Sequence, residues 1–320
     1  PIYNNFSGIS STVYHATAFF PDSHGRTYTD AQAAIEMDRL KSSKVTNVRT
    51  RFDSHWMWTS SGWDWDSVKM NAVYKWANML QDRNISITIN ASWHLSDFVT
   101  YYQSKGHSSI PEVNYMHGYS KNNTKTADLY GEDANAAAIE AAGRKIGLNL
   151  TDDEYDHYSV AAARYGEWMC QGLNALKAHG VNNVEYLLPF TETGYEVEND
   201  PTADYDEWII MTLGLHLALE DEGIRSDYQL IGPSQSLYKY MNRLSLLEYV
   251  YKKIDGTEYE DLIDINSSHA YTKPNTYKGY ENTVYEPDAS YSMAEENFKY
   301  YPLLETEVVS NETVYQWRRT

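Results

Sequence analysis

The chain has 320 residues, and its 26 Lys and Arg against 45 Asp and Glu give a formal net charge of −19. This acidic balance argues against nucleic-acid and anionic-membrane partners, because their phosphate groups would repel the chain. A hydrophobic content of 42 % excludes wholesale disorder, and the single cysteine, Cys170, excludes an internal disulfide framework and a cysteine-based zinc site. No apolar run reaches the roughly 20 residues that cross a bilayer.

Short apolar strands alternate with amphipathic helices along the chain, which is typical of a parallel α/β fold. Strands are predicted, in chain order, at 12–19, 47–53, 85–92, 184–190, 228–232, 262–268 and 302–308. Helices are predicted at about 29–41, 66–83, 136–142, 151–180, 205–222, 240–253 and 291–299. Two of these helices begin with a capping box, formed by Thr29 with Gln32 and by Thr151 with Glu154.

Seven β/α units in series predict one domain over residues 1–320, a (β/α)8 TIM barrel whose last unit is lacking or irregular. The seventh strand ends near Val308, and an eighth unit does not fit in the short stretch that follows. A polar segment at about 95–157 interrupts the series, and a segment of this length in a compact domain is more often functional than idle. We expect it to form part of a cleft.

In such a barrel the chemistry lies at the carboxyl ends of the strands, so the residues there are the candidate site. The charged, polar and aromatic candidates at these ends are Arg51, Trp56, Trp93, His94, Thr191, Glu192, His269, Tyr271 and Glu307. A purely structural barrel would carry small or solubilising residues at these ends, without recurring Trp and His.

Glu192 and Glu307 end the fourth and seventh predicted strands, which face each other across the barrel mouth. Hydrolysis of a glycosidic bond needs one carboxylic acid to protonate the leaving oxygen and one carboxylate to attack the anomeric carbon or to activate water. A separation of about 5–5.5 Å between the two carboxyl groups would indicate retention of configuration. Arg51 or Tyr271 is expected to keep Glu307 ionised. Glu305 points the same way as Glu307 along the strand, so it stays an alternative.

Aromatic residues with a polar handle are in excess, with 29 Tyr and 9 Trp against 7 Phe, and such rings suit the flat, wet surface of a sugar cleft. Trp56, Trp58 and Trp93 are expected to stack on sugar rings. His94 and His269 are expected to hydrogen-bond sugar hydroxyls or the carboxylates. The alternation of the third strand leaves open whether Trp93 or His94 points inward.

Five short motifs also carry a resemblance to a known family, namely Arg51-Phe52, Trp65-Asp66, Gly232-Pro233, Ser268 to Tyr271 and Thr306-Glu307. They resemble motifs of clan A, a clan of retaining glycoside hydrolases with (β/α)8 barrels. Arg51-Phe52 resembles the Arg-Phe that ends strand two of that clan, and Trp65-Asp66 resembles the start of the following helix. Gly232-Pro233 resembles the Gly-Pro of strand five, Ser268 to Tyr271 the His-x-Tyr of strand six, and Thr306-Glu307 the Thr-Glu of strand seven. Within that clan the sequence is most similar to glycoside hydrolase family 39.

One position departs from the pattern of the clan. The clan places Asn before its acid/base Glu and Pro after it, whereas this chain has Thr191-Glu192-Thr193. By resemblance, the residue at position 191 binds the 2-hydroxyl of the sugar. Thr191 offers a hydroxyl group there instead of an amide.

The resemblance implies a retaining glycoside hydrolase that cleaves β-glycosidic bonds in a plant or microbial polysaccharide or oligosaccharide. It makes Glu192 the acid/base and Glu307 the nucleophile, and it implies a carbohydrate substrate with no cofactor or metal. A non-catalytic carbohydrate-binding barrel and a barrel enzyme that performs transglycosylation stay as alternatives. Because the chain begins at Pro1 rather than Met, we expect a secreted or periplasmic protein whose signal peptide has been removed.

Overall fold

A computed structural model describes residues 11–21, 25–59, 62–92, 134–189, 203–236, 246–269, 304–309 and 312–317. The strands are β1 (Ser11–Val13), β2 (Asn47–Asp53), β3 (Trp58–Thr59), β4 (Gly62–Trp63), β5 (Ser86–Ser92), β6 (Val184–Pro189), β7 (Gln229–Ser236), β8 (Ile265–His269), β9 (Leu304–Val309) and β10 (Glu312–Trp317). The helices are α1 (Asp30–Ser42), α2 (Val68–Gln81), α3 (Ala134–Lys145), α4 (Asp152–Ala178), α5 (Ala203–Asp221) and α6 (Leu246–Ile254). The predicted helix at 291–299 and most of the polar segment at 95–157 lie outside the described residues.

The strands β1, β2, β5, β6, β7 and β8 form one sheet in this order, and every neighbouring pair is parallel. At least one helix lies between each two successive strands of this sheet along the chain. Parallel strands laid down in chain order, with a helix after each, are the topology of a (β/α)8 barrel. The predicted fold class is therefore confirmed, and the described residues hold six strands of its sheet.

The first strand is shorter than predicted. β1 ends at Val13, and a 3-10 helix covers Ala16–Phe19. The N–H of Ala16 donates to Oγ1 of Thr50 at 3.1 Å, and this bond ties the turn to the side of β2. The prediction of a continuous strand over 12–19 is wrong in its second half. There the backbone N–H of Ala16 bonds to a side chain of β2 instead of to the backbone of a neighbouring strand.

The predicted seventh strand is present as β9, but its hydrogen-bonded neighbour among the described residues is the antiparallel strand β10. Val309 pairs with Glu312 at one end of this pair of strands, and Leu304 pairs with Trp317 at the other. The sequence analysis predicts no strand after Val308. β10 is therefore an addition to the predicted order of elements.

Both predicted capping boxes are present and begin α1 and α4. Oγ1 of Thr29 accepts from the N–H of Gln32 at 3.3 Å, and Oγ1 of Thr151 accepts from the N–H of Glu154 at 3.2 Å. The side chains of Gln32 and Glu154 return the bond to the N–H of each threonine. Each box satisfies backbone donors that the first helical turn leaves without a partner.

The side of the sheet that faces the helices is apolar and forms the core. Val48 and Phe52 of β2 and Ile87 and Ile89 of β5 are at most 2 % exposed. The Phe52 ring lies against the Trp168 ring of α4, with a centroid distance of 5.6 Å. Full burial of such a side chain stabilises the fold by about 1.5–3 kcal/mol. This face fixes the sheet against the helical layer.

The helices α4 and α5 cross at two glycines. A Cβ built on Gly214 would lie 2.5 Å from the carbonyl oxygen of Ala162, and one built on Gly166 would lie 2.6 Å from the carbonyl oxygen of Gly214. Neither position has room for a methyl group, because the obstacle in each case is backbone. The two helices therefore pack more closely than side chains at the crossing would allow.

A buried histidine of α5 accepts a hydrogen bond from an arginine. His216 is 1 % exposed, and its Nδ1 accepts from Nε of Arg225 at 3.0 Å while its Nε2 lies 3.4 Å from Glu220. An arginine keeps its protons at all ordinary pH values, so Nδ1 must be unprotonated for this bond to form. Burial lowers the pKa of His216, and the nearby Glu220 opposes that shift.

Arg225 also holds together the region where β7 and β8 begin. Its Nη1 donates to the carbonyl oxygen of Tyr228, and its Nη2 donates to the carbonyl oxygen of Asp261 and to Oδ2 of Asp264, each at 2.8 Å. The N–H of Leu230 donates to the same Oδ2 at 2.6 Å. These bonds connect the end of α5, the first residues of β7 and the approach to β8.

The close crossing predicts that Gly214→Ala destabilises the protein by about 1–3 kcal/mol, because the added methyl group forces the helices apart. The free energy of unfolding in urea measures the effect. Ala141→Gly on the exposed face of α3 is the control for helix propensity and should cost about 1 kcal/mol. A Gly214→Ala protein as stable as the wild type would contradict the crossing.

The lowered pKa of His216 predicts a loss of stability in mild acid. Below about 6.5, the ordinary pKa of histidine, the unfolded chain takes up a proton that the folded His216 excludes. The free energy of unfolding should therefore fall between pH 7.5 and pH 5.5, with His216 contributing at most about 1.4 kcal/mol. Urea titrations at the two pH values measure the fall, and His216→Gln should reduce it. An equal fall in the variant would count against this role.

Candidate functional site

The side of β2 and β5 that faces away from the helices is polar, and it carries the candidate site. Alternate residues of a strand point to opposite sides, so Arg51 points away from the helices that Phe52 contacts. The parallel register places Arg51 beside Asn90 of β5, and it places Asn47 beside Ser86. A parallel sheet with helices on both sides is usually apolar on both sides. The polar side of these strands therefore indicates an interior surface that does not pack against helices.

At the amino-terminal end of the strands, the polar side chains bond to one another. Nδ2 of Asn47 donates to Oγ of Ser86 at 3.0 Å, and Oγ1 of Thr88 donates to Oδ1 of Asn47 at 2.9 Å. Asn47 is 1 % exposed and Thr88 is 5 % exposed. These groups are buried and hydrogen-bonded, as buried polar groups in folded proteins usually are. This layer holds β2 and β5 together below the site.

At the carboxyl end, no hydrogen bond joins the side chains of Arg51 and Asn90 in the described part of the chain. Asn90 is 6 % exposed, and its Oδ1 is buried with no hydrogen-bond partner in the described part of the chain. Arg51, its neighbour on β2, is exposed, and the described residues give its side chain no ion pair. A cation and an unsatisfied amide therefore stand side by side at the end of the sheet where a (β/α)8 fold carries its chemistry.

His15 follows β1 and lies next to this pair. The backbone N–H of Arg51 donates to Nδ1 of His15 at 3.4 Å. Burial lowers the pKa of His15, and the positive charges of Arg51 and Arg49 lower it further. His15 is therefore neutral near pH 7, and the positive charge at this edge comes from the two arginines.

Trp56 has a different place from the one expected. It is 7 % exposed, and its ring makes edge-on contacts with Phe20 at 5.0 Å and with Phe52 at 6.0 Å between centroids. A ring that is buried in this way has no free face on which a sugar can stack. The expected role of Trp56 as a stacking platform is therefore corrected to one of core packing.

The other expected site residues are only partly placed. Five of them lie outside the described residues, and their roles stay predictions. These are Trp93, His94, Thr191, Glu192 and Tyr271. The backbone of His269 ends β8 and pairs with that of Ser236, and the backbone of Glu307 lies in β9 opposite Val314.

Neither Asn90 nor His15 is among the residues predicted for the site. The signal for Asn90 is the period-two pattern of β5, where polar residues at 86, 88, 90 and 92 alternate with Ile87, Ile89 and Ala91. No comparable sequence pattern marks His15. The sequence predicts that His15 lies within the first strand, whereas β1 ends before it.

The described residues contain no group of three or more His, Cys, Asp or Glu side chains that could hold a metal ion. Burial raises the pKa of the Cys170 thiol to about 12, so this buried cysteine stays protonated at neutral pH. None of the described helices is long and apolar enough to cross a membrane.

No protein-family model and no curated protein matches the chain. Among solved structures, the glycoside hydrolase family 53 catalytic domain of Ignisphaera aggregans is similar at 11 % identity and a TM-score of 0.42, over 82 % of this chain and 59 % of that one. A glycoside hydrolase family 5 mannosidase from Rhizomucor miehei, in complex with mannosyl-fructose, is similar at 11 % identity and a TM-score of 0.38, over 92 % and 63 %.

The tandem family 20 catalytic modules of the pneumococcal exo-β-D-N-acetylglucosaminidase are similar at 12 % identity and a TM-score of 0.26, over 91 % of this chain and 85 % of that one. The chain spans less than two thirds of the length of the first two structures. At TM-scores below 0.5, none of the three similarities carries weight for the activity of this chain.

The buried position of Trp56 predicts that Trp56→Ala lowers the free energy of unfolding by about 3–5 kcal/mol, because it leaves a cavity between Phe20 and Phe52. Trp56→Phe keeps most of the apolar volume and should cost clearly less. Urea unfolding of both variants measures the difference. If Trp56→Ala kept wild-type stability, the ring would not be a core element.

Proposed function

We propose that this protein is a retaining glycoside hydrolase that cleaves β-linked sugars in a polysaccharide or oligosaccharide. The observation that carries the proposal is the pairing of Arg51 with Asn90 at the carboxyl end of a parallel sheet with (β/α)8 topology. This is the end at which such folds bind their substrates. A cation beside a buried amide suits a ligand rich in hydroxyl groups, because a hydroxyl both donates and accepts hydrogen bonds.

The proposed acid/base is Glu192. It follows the last residue of β6, Pro189, by three positions, and β6 is the hydrogen-bonded neighbour of β5, which carries Asn90. From this position in the sequence, we propose that Glu192 acts on a sugar bound above Asn90. In the first step Glu192 gives its proton to the leaving oxygen, and in the second it removes a proton from the attacking water.

The proposed nucleophile is Glu307, which attacks the anomeric carbon and forms a glycosyl-enzyme intermediate. Its carboxylate must be ionised to attack, and a nearby cation favours the ionised form. Arg51, exposed at the mouth and without an ion pair among the described residues, is the proposed cation. Trp93, His94, Thr191, His269 and Tyr271 are proposed to bind the sugar around these carboxylates.

A second candidate function is a non-catalytic sugar-binding barrel. The observation that favours it is Thr191, which stands where the resembling clan has the Asn that binds the sugar 2-hydroxyl. Loss of that amide would remove an interaction that strengthens in the transition state.

We also propose a secreted or periplasmic location for the protein, where polysaccharide substrates are found.

Substitution of the two carboxylates tests the proposal. Glu307→Gln should abolish turnover of a panel of fluorogenic β-glycosides, because an amide cannot attack the anomeric carbon. Glu192→Gln should lower kcat by about 10²–10⁴-fold, the usual contribution of a general acid or base. Initial rates on each glycoside give both values, and circular dichroism confirms that the variants are folded.

Glu305→Gln is the matched control, since it makes the same change two residues away on β9. It should keep most of the activity, and a reversed pattern would make Glu305 the nucleophile. A wild-type protein that binds sugars in calorimetry but turns over no glycoside would support the sugar-binding barrel. Wild-type activity in Glu307→Gln would show that neither its charge nor its nucleophilicity matters.

A further inference from the structure

The amide oxygen of Asn90 is buried but has no hydrogen-bond partner in the described protein. The side chain is 6 % exposed, and its Oδ1 makes no hydrogen bond. Burial without a partner is unfavourable, because the group loses its bonds to water and gains nothing in return. Buried polar atoms of this kind are rare in folded proteins and often mark a functional group.

The neighbours of Asn90 in the sheet do not satisfy its oxygen. On one side the register places Arg51, whose guanidinium carries donors but makes no hydrogen bond to Oδ1. On the other side it places Leu188 of β6, which is 2 % exposed and apolar. The position thus has a donor group on one side, an apolar wall on the other and a free acceptor between them.

A second asparagine on the same side of the sheet shows what a structural amide looks like here. Asn47 is 1 % exposed, and its amide donates to Oγ of Ser86 and accepts from Oγ1 of Thr88. The two asparagines lie in the same two-stranded unit, β2 and β5, at opposite ends. Asn47 holds the strands together, whereas Asn90 does not contribute a bond of this kind.

We propose that the Asn90 amide binds a ring hydroxyl of the substrate sugar and selects for a sugar that carries this hydroxyl. The inference rests on the proposed function and deepens it. A hydroxyl placed between Arg51 and Asn90 accepts from the guanidinium and donates to Oδ1. A deoxy sugar leaves Oδ1 unsatisfied. Asn90 is therefore a substrate-binding residue that determines specificity.

Asn90→Leu separates this role from a structural one, because leucine has a similar size and no polar atoms. Removal of an unsatisfied buried amide should leave the Tm unchanged or raise it, since no protein hydrogen bond is lost. The same variant should lower kcat/KM by about tenfold or more on hydroxylated glycosides. Asn47→Leu is the matched control. It should lower the Tm, and it should not change the preference between substrates.

The decisive measurement uses pairs of aryl glycosides, one with the full set of ring hydroxyls and one with a single hydroxyl replaced by hydrogen. The wild type should prefer the hydroxylated member of one pair by tenfold or more, and Asn90→Leu should lose that preference. The inference is overturned if the variant keeps the wild-type preference for every pair. It is also overturned if the Tm of Asn90→Leu falls as far as that of Asn47→Leu.

A failure of the proposed function gives a different result. In that case the wild type turns over no glycoside, and calorimetry with the free sugars decides the role of Asn90. Binding that the wild type shows and Asn90→Leu lacks keeps the inference for a sugar-binding barrel. The absence of sugar binding to the wild type, or equal binding to both proteins, overturns it.

Discussion

The rest of the structure depends on the alternation of apolar and polar side chains in β2 and β5. Val48, Phe52 and Ile89 point to the helices and are buried, and this apolar side fixes the helical layer. Because a strand has a period of two, the residues between them must point the other way. The same constraint that builds the core therefore presents Arg51 and Asn90 on the inner side of the sheet.

The packing of the helical layer also depends on direct contact between two helix backbones. Gly214 lets α5 approach α4 until the backbones meet, and Trp168 of α4 then reaches the Phe52 ring on the sheet. A change at the helix crossing thus acts on the strand that carries Arg51. The polar layer of Asn47 with Ser86 keeps the two strands in register from the opposite side.

Much of the fold could be predicted from the sequence, because its strongest signals are local. β2 spans the predicted residues, and the two capping boxes begin their helices at the expected threonines, Thr29 and Thr151. The first strand failed because Thr50, distant in sequence, captures the N–H of Ala16 and ends the extended segment. Such a bond leaves no trace in a single stretch of sequence.

The site was harder to predict, since burial depends on contacts between distant segments. Trp56 follows a strand end, as a sugar platform would, but Phe20 and Phe52 enclose its ring. Asn90 is one of four polar residues that alternate with apolar ones in β5, and only the structure shows that its amide oxygen is buried without a partner. The order of the β/α units could be predicted from local sequence patterns. Whether an aromatic ring packs in the core or binds a ligand could not.

The bonds of Arg225 have a consequence for how the chain can be divided. One guanidinium joins the end of α5 to the beginnings of β7 and β8, so two successive β/α units share a single charged anchor. A barrel is often pictured as a series of exchangeable units, each able to be cut out or recombined. Here a cut between β7 and β8 leaves the arginine in one piece and the Asp264 carboxylate in the other. The smallest portable block in this part of the chain is therefore the pair of units.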